Sequence, residues 1–159
     1  MSAQIIKETV MIKILKQQVL LEDLDNNELA KVSKMIQKLS FKKDEYLFRE
    51  KEETKGLYLI HSGKVEIAKV TTDGWKQPLA VFTKGHFFGE LSILERRRHE
   101  AYAIALENTE ILLISRGIFE KMEKDESLIA FRIMKKIARV MSKNLRRMND
   151  KFLNALISY

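Results

Sequence analysis

Side chains that could carry out acid–base or metal chemistry are few and scattered in this chain of 159 residues. The three histidines are His61, His86 and His99, and their spacing matches no metal-binding pattern such as HExxH. The chain has no cysteine, which excludes disulfides, thiol catalysis and cysteine-bound zinc. Glu90 and His99 could be interpreted as an acid–base pair, but no nucleophile elbow or P-loop motif accompanies them. The sequence therefore favours a function other than catalysis, and it predicts no metal site.

Composition and length are those of one ordinary globular domain. Hydrophobic residues make up 45% of the chain and charged residues 32%. No apolar run approaches the ~20 residues that a membrane span needs. Lys7, Glu8 and Lys13 interrupt the N-terminal region, so it lacks the unbroken apolar stretch of a secretory signal. We therefore expect a cytoplasmic protein.

The positive charge of the chain is concentrated near its C-terminus. The net charge is +7, and residues 132–151 hold eight lysines and arginines against one acidic residue, Asp150. A basic segment of this kind can bind nucleic acid or acidic lipid. We favour the alternative that these residues form the water-exposed face of a helix.

Two helices are predicted before residue 41. In the first, Ile6, Val10 and Ile14 recur every fourth residue, with Ile5 and Leu15 beside them. The second begins with the capping-box pattern, in which Asp25 caps the helix and Glu28 follows three residues later. The apolar stripe of this second helix is Leu29, Val32, Met35, Ile36 and Leu39.

Residues 46–114 contain short β-like runs separated by turns. The predicted strands are residues 46–48, 57–60, 64–70, 79–82, 102–105 and 109–114. Asp73-Gly74 is a strong hairpin signal between two of them. Many short strands without a β–α–β alternation indicate a barrel, roll or sandwich rather than a parallel sheet.

A long helix is predicted from residue 125 to the end, after a short helix carrying Ile118, Phe119 and Met122. Apolar residues of the long helix recur at alternating steps of four and three, the heptad pattern of a coiled coil. We call these residues the seam: Met134, Ala138, Met141, Leu145, Met148 and Phe152, with Ala155 and Tyr159 continuing the spacing.

A second apolar stripe, Ile133, Ile137 and Val140, runs beside the seam. One stripe can pack on the chain's own domain while the other meets the same helix of a second copy, which predicts a homodimer. The alternative is that the seam only covers its own domain. On this register the basic residues fall on outer positions and would face water.

The stretch GHFFGELSIL at residues 85–94 resembles the phosphate-binding cassette of cyclic-nucleotide-binding domains. This family includes the catabolite activator protein, the protein kinase A regulatory subunits and the cyclic-nucleotide-gated channels. Further blocks match in order at the family's spacing: FRE at 48–50, LYLI at 57–60, SGKVEI at 62–67, DG at 73–74, AIALE at 103–107 and TEIL at 109–112. The resemblance extends from about Leu15 to the C-terminal helix.

This resemblance implies an α+β fold: an antiparallel β-roll, or jelly roll, flanked by N-terminal helices and a long C-terminal helix. Residues 1–124 would form the domain, and residues 125–159 a helix that acts as a lid or in dimerisation, with Phe152 or Tyr159 over the pocket. The catabolite activator protein adds a helix-turn-helix after the long helix. The residues after 142 are too few for one, so we expect no specific DNA binding.

The resemblance also implies a ligand, cyclic AMP or cyclic GMP, and no other cofactor. In the family, a glutamate that matches Glu90 accepts a hydrogen bond from the ribose, and an arginine about nine residues later pairs with the cyclic phosphate. Gly89 would let the backbone approach the ligand. The implied binding residues are Phe88, Gly89, Glu90, Leu91, Ser92, Arg98, His99, Glu100, Ala101 and Tyr102.

Two residues depart from the family pattern where the phosphate would bind. Aligned on Ala101 and Ala103, the arginine position is His99 and the next position is Glu100. Two negative charges ~4 Å apart repel by about 4 kcal/mol at an effective dielectric constant of about 20. That energy alone weakens a micromolar ligand to about millimolar. A one-residue shift could bring Arg98 to the phosphate instead, but we favour an exposed loop for this arginine.

Two glycines of the family pattern are also replaced, by Asp44 and Lys51, so we expect these turns to be built differently.

Taken together, the resemblance and these departures predict a regulatory or sensor module with a degenerate phosphate clamp, signalling through its C-terminal helix. The alternatives are the effector domain of a transcription regulator and a dimerisation scaffold that docks an unidentified protein partner.

Overall fold

The computed structural model describes residues 3–157 of the chain. The helices are α1 (Ala3–Lys16), a 3-10 turn (Val19–Leu21), α2 (Asn26–Ser33), α3 (Leu91–Leu94), α4 (Arg116–Asp125) and α5 (Ser127–Ile157). The strands are β1 (Gln37–Phe41), β2 (Tyr46–Phe48), β3 (Gly56–Ser62), β4 (Lys64–Val70), β5 (Lys76–Thr83), β6 (Phe87–Phe88), β7 (Tyr102–Ala105) and β8 (Thr109–Ser115). Every strand predicted from the sequence is present. The prediction missed β1, which is largely polar and exposed, and β6, which has two residues.

The strands form two antiparallel sheets, ordered β1-β8-β3-β6 and β2-β7-β4-β5. The hairpin predicted at Asp73-Gly74 joins β4 to β5, and Gly74 adopts a φ of 81° there. Helices flank the sheets at both ends of the chain. The antiparallel roll with N-terminal helices and a long C-terminal helix is therefore confirmed.

Both faces of the β1-β8-β3-β6 sheet are buried along β3 and β8. Successive residues of a strand point to opposite sides of the sheet, and here each side packs in a different core. Tyr58, Ile60, Ile111 and Leu113 join residues of the other sheet in the core of the roll. The alternate residues, Leu57, Leu59, Leu112 and Ile114, pack against the helices in a second core. That second core also contains Phe119 and Met122 of α4 and Ile129, Ala130, Ile133 and Ile137 of α5.

The two N-terminal helices follow the sequence prediction only in part. The capping box of α2 is confirmed, since Asp25 accepts from the Glu28 amide at 2.9 Å and Glu28 accepts from the Asp25 amide at 3.0 Å. The stripe predicted for α1 is confirmed at its C-terminal end, where Leu15 is buried and Ile14 is partly buried, and is wrong for Ile5, Ile6 and Val10, which are about half exposed. Met11 and Ile12, which the prediction did not include, are also partly buried.

The second helix is also shorter than its predicted stripe. It ends at Ser33, so Met35 and Ile36 lie in the link to the first sheet. Leu39 belongs to β1 rather than to a helix. Glu126, with φ −137° and ψ 50°, separates α4 from α5.

The first half of α5 is docked and its second half is exposed. Ile133 and Ile137 are buried and Val140 is partly buried, as predicted for the stripe beside the seam. Of the seam residues, Met134 is partly buried, whereas Ala138 and Met141 onward are exposed. Tyr159 lies outside the described residues.

The prediction that the basic residues of α5 would face water is wrong for Lys136, whereas Arg132 is partly exposed and Arg139 is exposed. All three form ion pairs with the segment around α2: Arg132 with Glu28 at 2.6 Å, Lys136 with Glu22, and Arg139 with Asp23 at 3.6 Å. The Lys136 side chain is only 12% exposed. Part of the basic charge of α5 therefore fixes the helix to its own domain, which periodicity alone does not reveal.

The turns at Asp44 and Lys51 are not built differently from glycine turns. Both residues have a φ of 69°, in the left-handed region that glycine favours. The Asp44 amide donates to the Ala105 carbonyl at 2.8 Å, and the Lys51 amide donates to the His99 carbonyl at 2.8 Å. These backbone hydrogen bonds hold the left-handed conformation at both positions, although neither residue is a glycine.

Candidate functional site

A cavity of about 320 Å³ opens beside β6 and α3. Its volume lies at the lower end of the range of small-molecule sites. The sequence-predicted residues that line it are Phe88, Gly89, Glu90, Leu91, Ser92, Arg98, His99, Glu100 and Ala101. The structure therefore gathers these residues, which are separated by up to thirteen positions in the chain, around one space.

Tyr102 does not line this cavity. Its neighbour in the strand, Ala103, lies on the opposite face and is fully buried in the core of the roll. The Tyr102 ring instead packs edge-on against Tyr46, with ring centroids 5.4 Å apart. Strand alternation therefore separates Tyr102 from the other predicted residues.

The apolar wall of the cavity comes mostly from residues that the sequence reasoning did not select. Phe48, Ile67, Leu79, Ala80 and Phe82 contribute to it. Phe82 and Phe48 pack on Phe88 with ring centroids 5.3 and 6.2 Å away. Their presence in strands β2, β4 and β5 was predictable, but which sheet edges meet at the cavity is a tertiary property.

Gly89 brings the cassette, residues 85–94, against strand β3. Its φ is 86°, and a Cβ atom at this position would lie 2.5 Å from the Gly56 carbonyl oxygen and 3.1 Å from the Tyr58 ring. A Cβ contact below 3.0 Å does not fit without movement of the backbone. The glycine is therefore required by packing within the protein, in addition to any approach of a ligand.

A short helix follows this turn. The Ser92 amide donates to the Gly89 carbonyl at 2.9 Å, and Ser92 is 2% exposed. Glu90 lies at the start of α3 and lines the cavity. Within residues 3–157 no hydrogen bond or ion pair holds its carboxylate, so that group is available to accept from a ligand hydroxyl.

His99 occupies the position where the family pattern has an arginine. Its ring stacks on Phe48 with centroids 3.5 Å apart and an interplanar angle of 4°. Burial lowers the pKa of His99 below its ordinary value of 6.5, with Glu52 opposing and Lys55 assisting this shift. Its Nε2 atom is buried and has no hydrogen-bond partner among residues 3–157. The structure therefore presents an uncharged, stacked imidazole to this part of the cavity.

We call residues 96–101 the clamp loop. Arg97 lies between two carboxylates, 3.2 Å from Glu95 and 3.5 Å from Glu100. The sequence reasoning did not select Arg97 or Thr54, which both line the cavity, although the run of three arginines pointed to this loop. The clamp loop therefore presents an arginine that is already neutralised.

Arg98 lines the cavity but its backbone is fixed elsewhere. It forms an isolated β-bridge with Glu53, and the side chain is exposed. The structure places it at the rim, next to His99, without a one-residue shift that would exchange the two positions. Arg98 is the cation at this rim that no ion pair within residues 3–157 engages.

Neither a metal centre nor a membrane-spanning helix emerges from residues 3–157. No group of three or more histidine, aspartate or glutamate side chains among them is arranged to hold a metal ion. No helix in that part of the chain combines the length and apolar character needed to cross a bilayer.

Comparison with protein families gives one match. The model of the cyclic nucleotide-binding domain matches residues 38–126, more than half of the chain. The matched range includes the cassette, the clamp loop and the whole of α4.

Two curated relatives and one solved structure illustrate the similarity. The anaerobic regulatory protein of Bacillus subtilis is 34% identical over 85% of this chain and 56% of its own length. A CRP-like cAMP-activated global transcriptional regulator of Mycobacterium tuberculosis is 29% identical over 92% and 63%. A cyclic nucleotide-binding domain of Methylobacillus flagellatus has a TM-score of 0.78 at 20% identity, covering 92% of this chain and 83% of that one. The chain thus spans less than two thirds of either curated relative.

Proposed function

Because the chain belongs to the cyclic nucleotide-binding domain family, we propose that it is a regulatory sensor module with a degenerate phosphate clamp. The observation that carries this proposal is the composition of the clamp loop. The position of the family's arginine holds a stacked His99 whose pKa is lowered, followed by the carboxylate of Glu100. The cavity is thus lined by an imidazole and a carboxylate at these two positions, and Arg98 at the rim is a cation that no ion pair within residues 3–157 engages.

Electrostatics supports weak binding of an anionic ligand. Glu90 and Glu100 both line the cavity, and Arg97 is engaged by Glu95 and Glu100. The ion pair of Arg97 with Glu100 reduces the repulsion of about 4 kcal/mol estimated for an isolated carboxylate. It does not reverse it, because both side chains are substantially exposed and such pairs contribute about 0–1 kcal/mol.

A titration of cyclic AMP and cyclic GMP into the ¹⁵N-labelled chain tests this function. We expect amide shifts at residues 89–92 and 98–101 only at millimolar nucleotide, with no saturation below about 1 mM. Saturation at micromolar concentration, with shifts centred on Arg98, would contradict the degenerate clamp. It would instead support a sensor in which Arg98 binds the phosphate.

Signalling through α5 is the second part of the proposal. The exposed part of the seam, from Met141 to Phe152, lies beside and beyond the stripe of Ile133, Ile137 and Val140, which packs in the helix core. One residue of α5 outside the original seam, Phe131, is 61% exposed and continues the same spacing toward the N-terminus, three residues before Met134. A stripe of this length favours a second copy of α5 as its partner.

Sedimentation of the natural chain and of Leu145→Asp tests the seam. We expect a dimer that the substitution dissociates, because it places two buried carboxylates across one symmetrical interface. Lys143→Asp is the matched control, since Lys143 lies outside the seam, and it should leave the dimer intact. A natural chain that is monomeric at all concentrations would refute dimerisation through the seam.

The effector domain of a transcription regulator is the second candidate. It is favoured by the 34% identity with an anaerobic regulatory protein and the 29% identity with a cAMP-activated regulator. The two candidates share the sensor role and differ in their output, transcription or a docked protein partner. A cytoplasmic location remains our expectation for both.

A further inference from the structure

Arg116 connects the cassette to the C-terminal helices. Its Nε donates to the Ser92 carbonyl at 2.7 Å, and its Nη2 donates to the Glu95 carbonyl at 3.2 Å. Those two carbonyls belong to the last turn of α3 and the residue after it. Arg116 is itself the first residue of α4. One side chain therefore bridges the end of the cavity helix and the start of the helix that leads to α5.

The same guanidinium also reaches the clamp loop. Its Nη2 donates to the Thr54 hydroxyl at 2.6 Å, and that hydroxyl donates to the Arg97 carbonyl at 3.0 Å. Thr54 and Arg97 both line the cavity. The two polar sides of the cavity, α3 and the clamp loop, are thus held by one network with Arg116 at its centre.

The backbone of Arg116 is held by a hydrogen bond to the segment before β3, and the helix that it begins is capped. Its amide donates to the Lys55 carbonyl at 2.8 Å, and Ser115 before it caps α4 by accepting from the Ile118 amide at 3.2 Å. Phe119 of α4 is buried in one core with Ile129 of α5. A displacement at Arg116 would therefore move α4 and α5 together, because close-packed helices shift as units.

We propose that Arg116 is the positioning residue that couples the cavity to α4 and α5. The proposal rests on the proposed sensor function and names the route by which that site is regulated. A guanidinium suits the role because its planar donors satisfy three acceptors at once, which a lysine ammonium at the same reach cannot do in this geometry. The apolar contact of Ile93 with the helix core is an additional link between α3 and these helices.

The test requires no nucleotide, so it can fail or succeed independently of the proposed function. The perturbation is the pair of cavity substitutions His99→Arg and Glu100→Ala, made in the natural background and in Arg116→Met. Amide NMR shifts caused by the pair are recorded along the chain. We expect them to extend through α4 to residues 129–137 in the natural background. In Arg116→Met we expect those distant shifts to fall by more than half.

Hydrogen exchange separates coupling from a general loss of stability. In Arg116→Met, residues 91–100 and the first turn of α4 should exchange about tenfold faster while the sheets are unchanged. Arg96→Met is the matched control, because Arg96 makes only an exposed ion pair with Glu120 at 3.5 Å, and it should leave both measurements as in the natural chain.

Arg116→Lys provides a second variant should the methionine variant not fold. It should transmit the distant shifts only in part, since one ammonium replaces a fork of donors. Distant shifts of undiminished size in Arg116→Lys and Arg116→Met would overturn the proposal. So would their absence from residues 129–137 in the natural background.

Discussion

The two polar sides of the cavity differ in what holds them in place. On one side, the cassette from Phe88 to Ser92 is set by packing, since Gly89 lies against the Gly56 backbone and Ser92 is buried. On the other side, the clamp loop is largely exposed, and one of its arginines, Arg97, is paired with Glu95 and Glu100 at the surface. A wall required for folding persists whatever the cavity binds, whereas an exposed loop can lose its phosphate-binding charge and leave the fold intact.

The largest expected effect concerns the packed wall. Gly89→Ala should lower the free energy of unfolding by about 3 kcal/mol, because left-handed strain adds to the overlap with the Gly56 carbonyl. Gly74→Ala is the matched control, since its φ of 81° is similar but no atom lies within 4 Å of its added Cβ. It should cost about 1 kcal/mol from strain alone. Equal losses in urea denaturation would show that packing does not fix the cassette.

Tyr58 lies beneath the same wall, and its hydroxyl has no hydrogen-bond partner within the described part of the chain. The ring stacks on Phe88 with centroids 5.1 Å apart, while burial, with a smaller contribution from Glu52, raises the pKa of Tyr58 to about 12. Tyr58→Phe should raise the free energy of unfolding by about 1 kcal/mol, because it removes an unsatisfied buried hydroxyl. A loss of stability in thermal denaturation would indicate that the hydroxyl has a partner in solution.

Lys51 anchors the clamp loop through its amide, and its left-handed φ of 69° is strained for a lysine. Lys51→Gly should raise the free energy of unfolding by up to about 1 kcal/mol, since the strain removed exceeds the extra backbone entropy of glycine. Asp44→Gly should gain less, because aspartate tolerates this conformation better. If both substitutions destabilise the chain, the side chains make contacts that outweigh the strain.

The stacked His99 should make stability depend on pH. Its pKa is lowered in the folded chain, so below about pH 6.5 the unfolded chain binds a proton that the folded chain resists. Stability should therefore decrease as pH falls from 6.5 until folded His99 is itself protonated. In urea titrations His99→Gln should remove this component, and His86→Gln, at an exposed histidine, should retain it. Identical profiles for all three chains would refute the burial of a neutral imidazole.

Local sequence signals predicted most of the fold. The capping box of Asp25 and Glu28 lies within one helical turn, and the β4–β5 hairpin is specified by Asp73-Gly74. Contacts between distant segments were not predictable in this way. The stripe assigned to Ile5, Ile6 and Val10 is exposed because the packing partner of α1 decides which face is buried, and periodicity does not identify that partner.

The site shows the same difference between features predictable from local sequence and contacts between distant segments. The cassette and the unusual His99 and Glu100 were identified from their positions in the chain, and they do line the cavity. The stacking of His99 on Phe48 and the network of Arg116 join residues more than fifty positions apart. Such contacts depend on strand order and helix packing, so the sequence could name the residues of the clamp loop without predicting what fixes them.

Calorimetric titration of cyclic AMP into the natural chain and into the variant carrying His99→Arg and Glu100→Ala tests the central claim most directly. We predict that the natural chain binds with a Kd no tighter than about 1 mM, and that the variant binds at least about a hundredfold more tightly. Micromolar binding by the natural chain, with no gain in the variant, would show that the clamp is intact and would contradict the account.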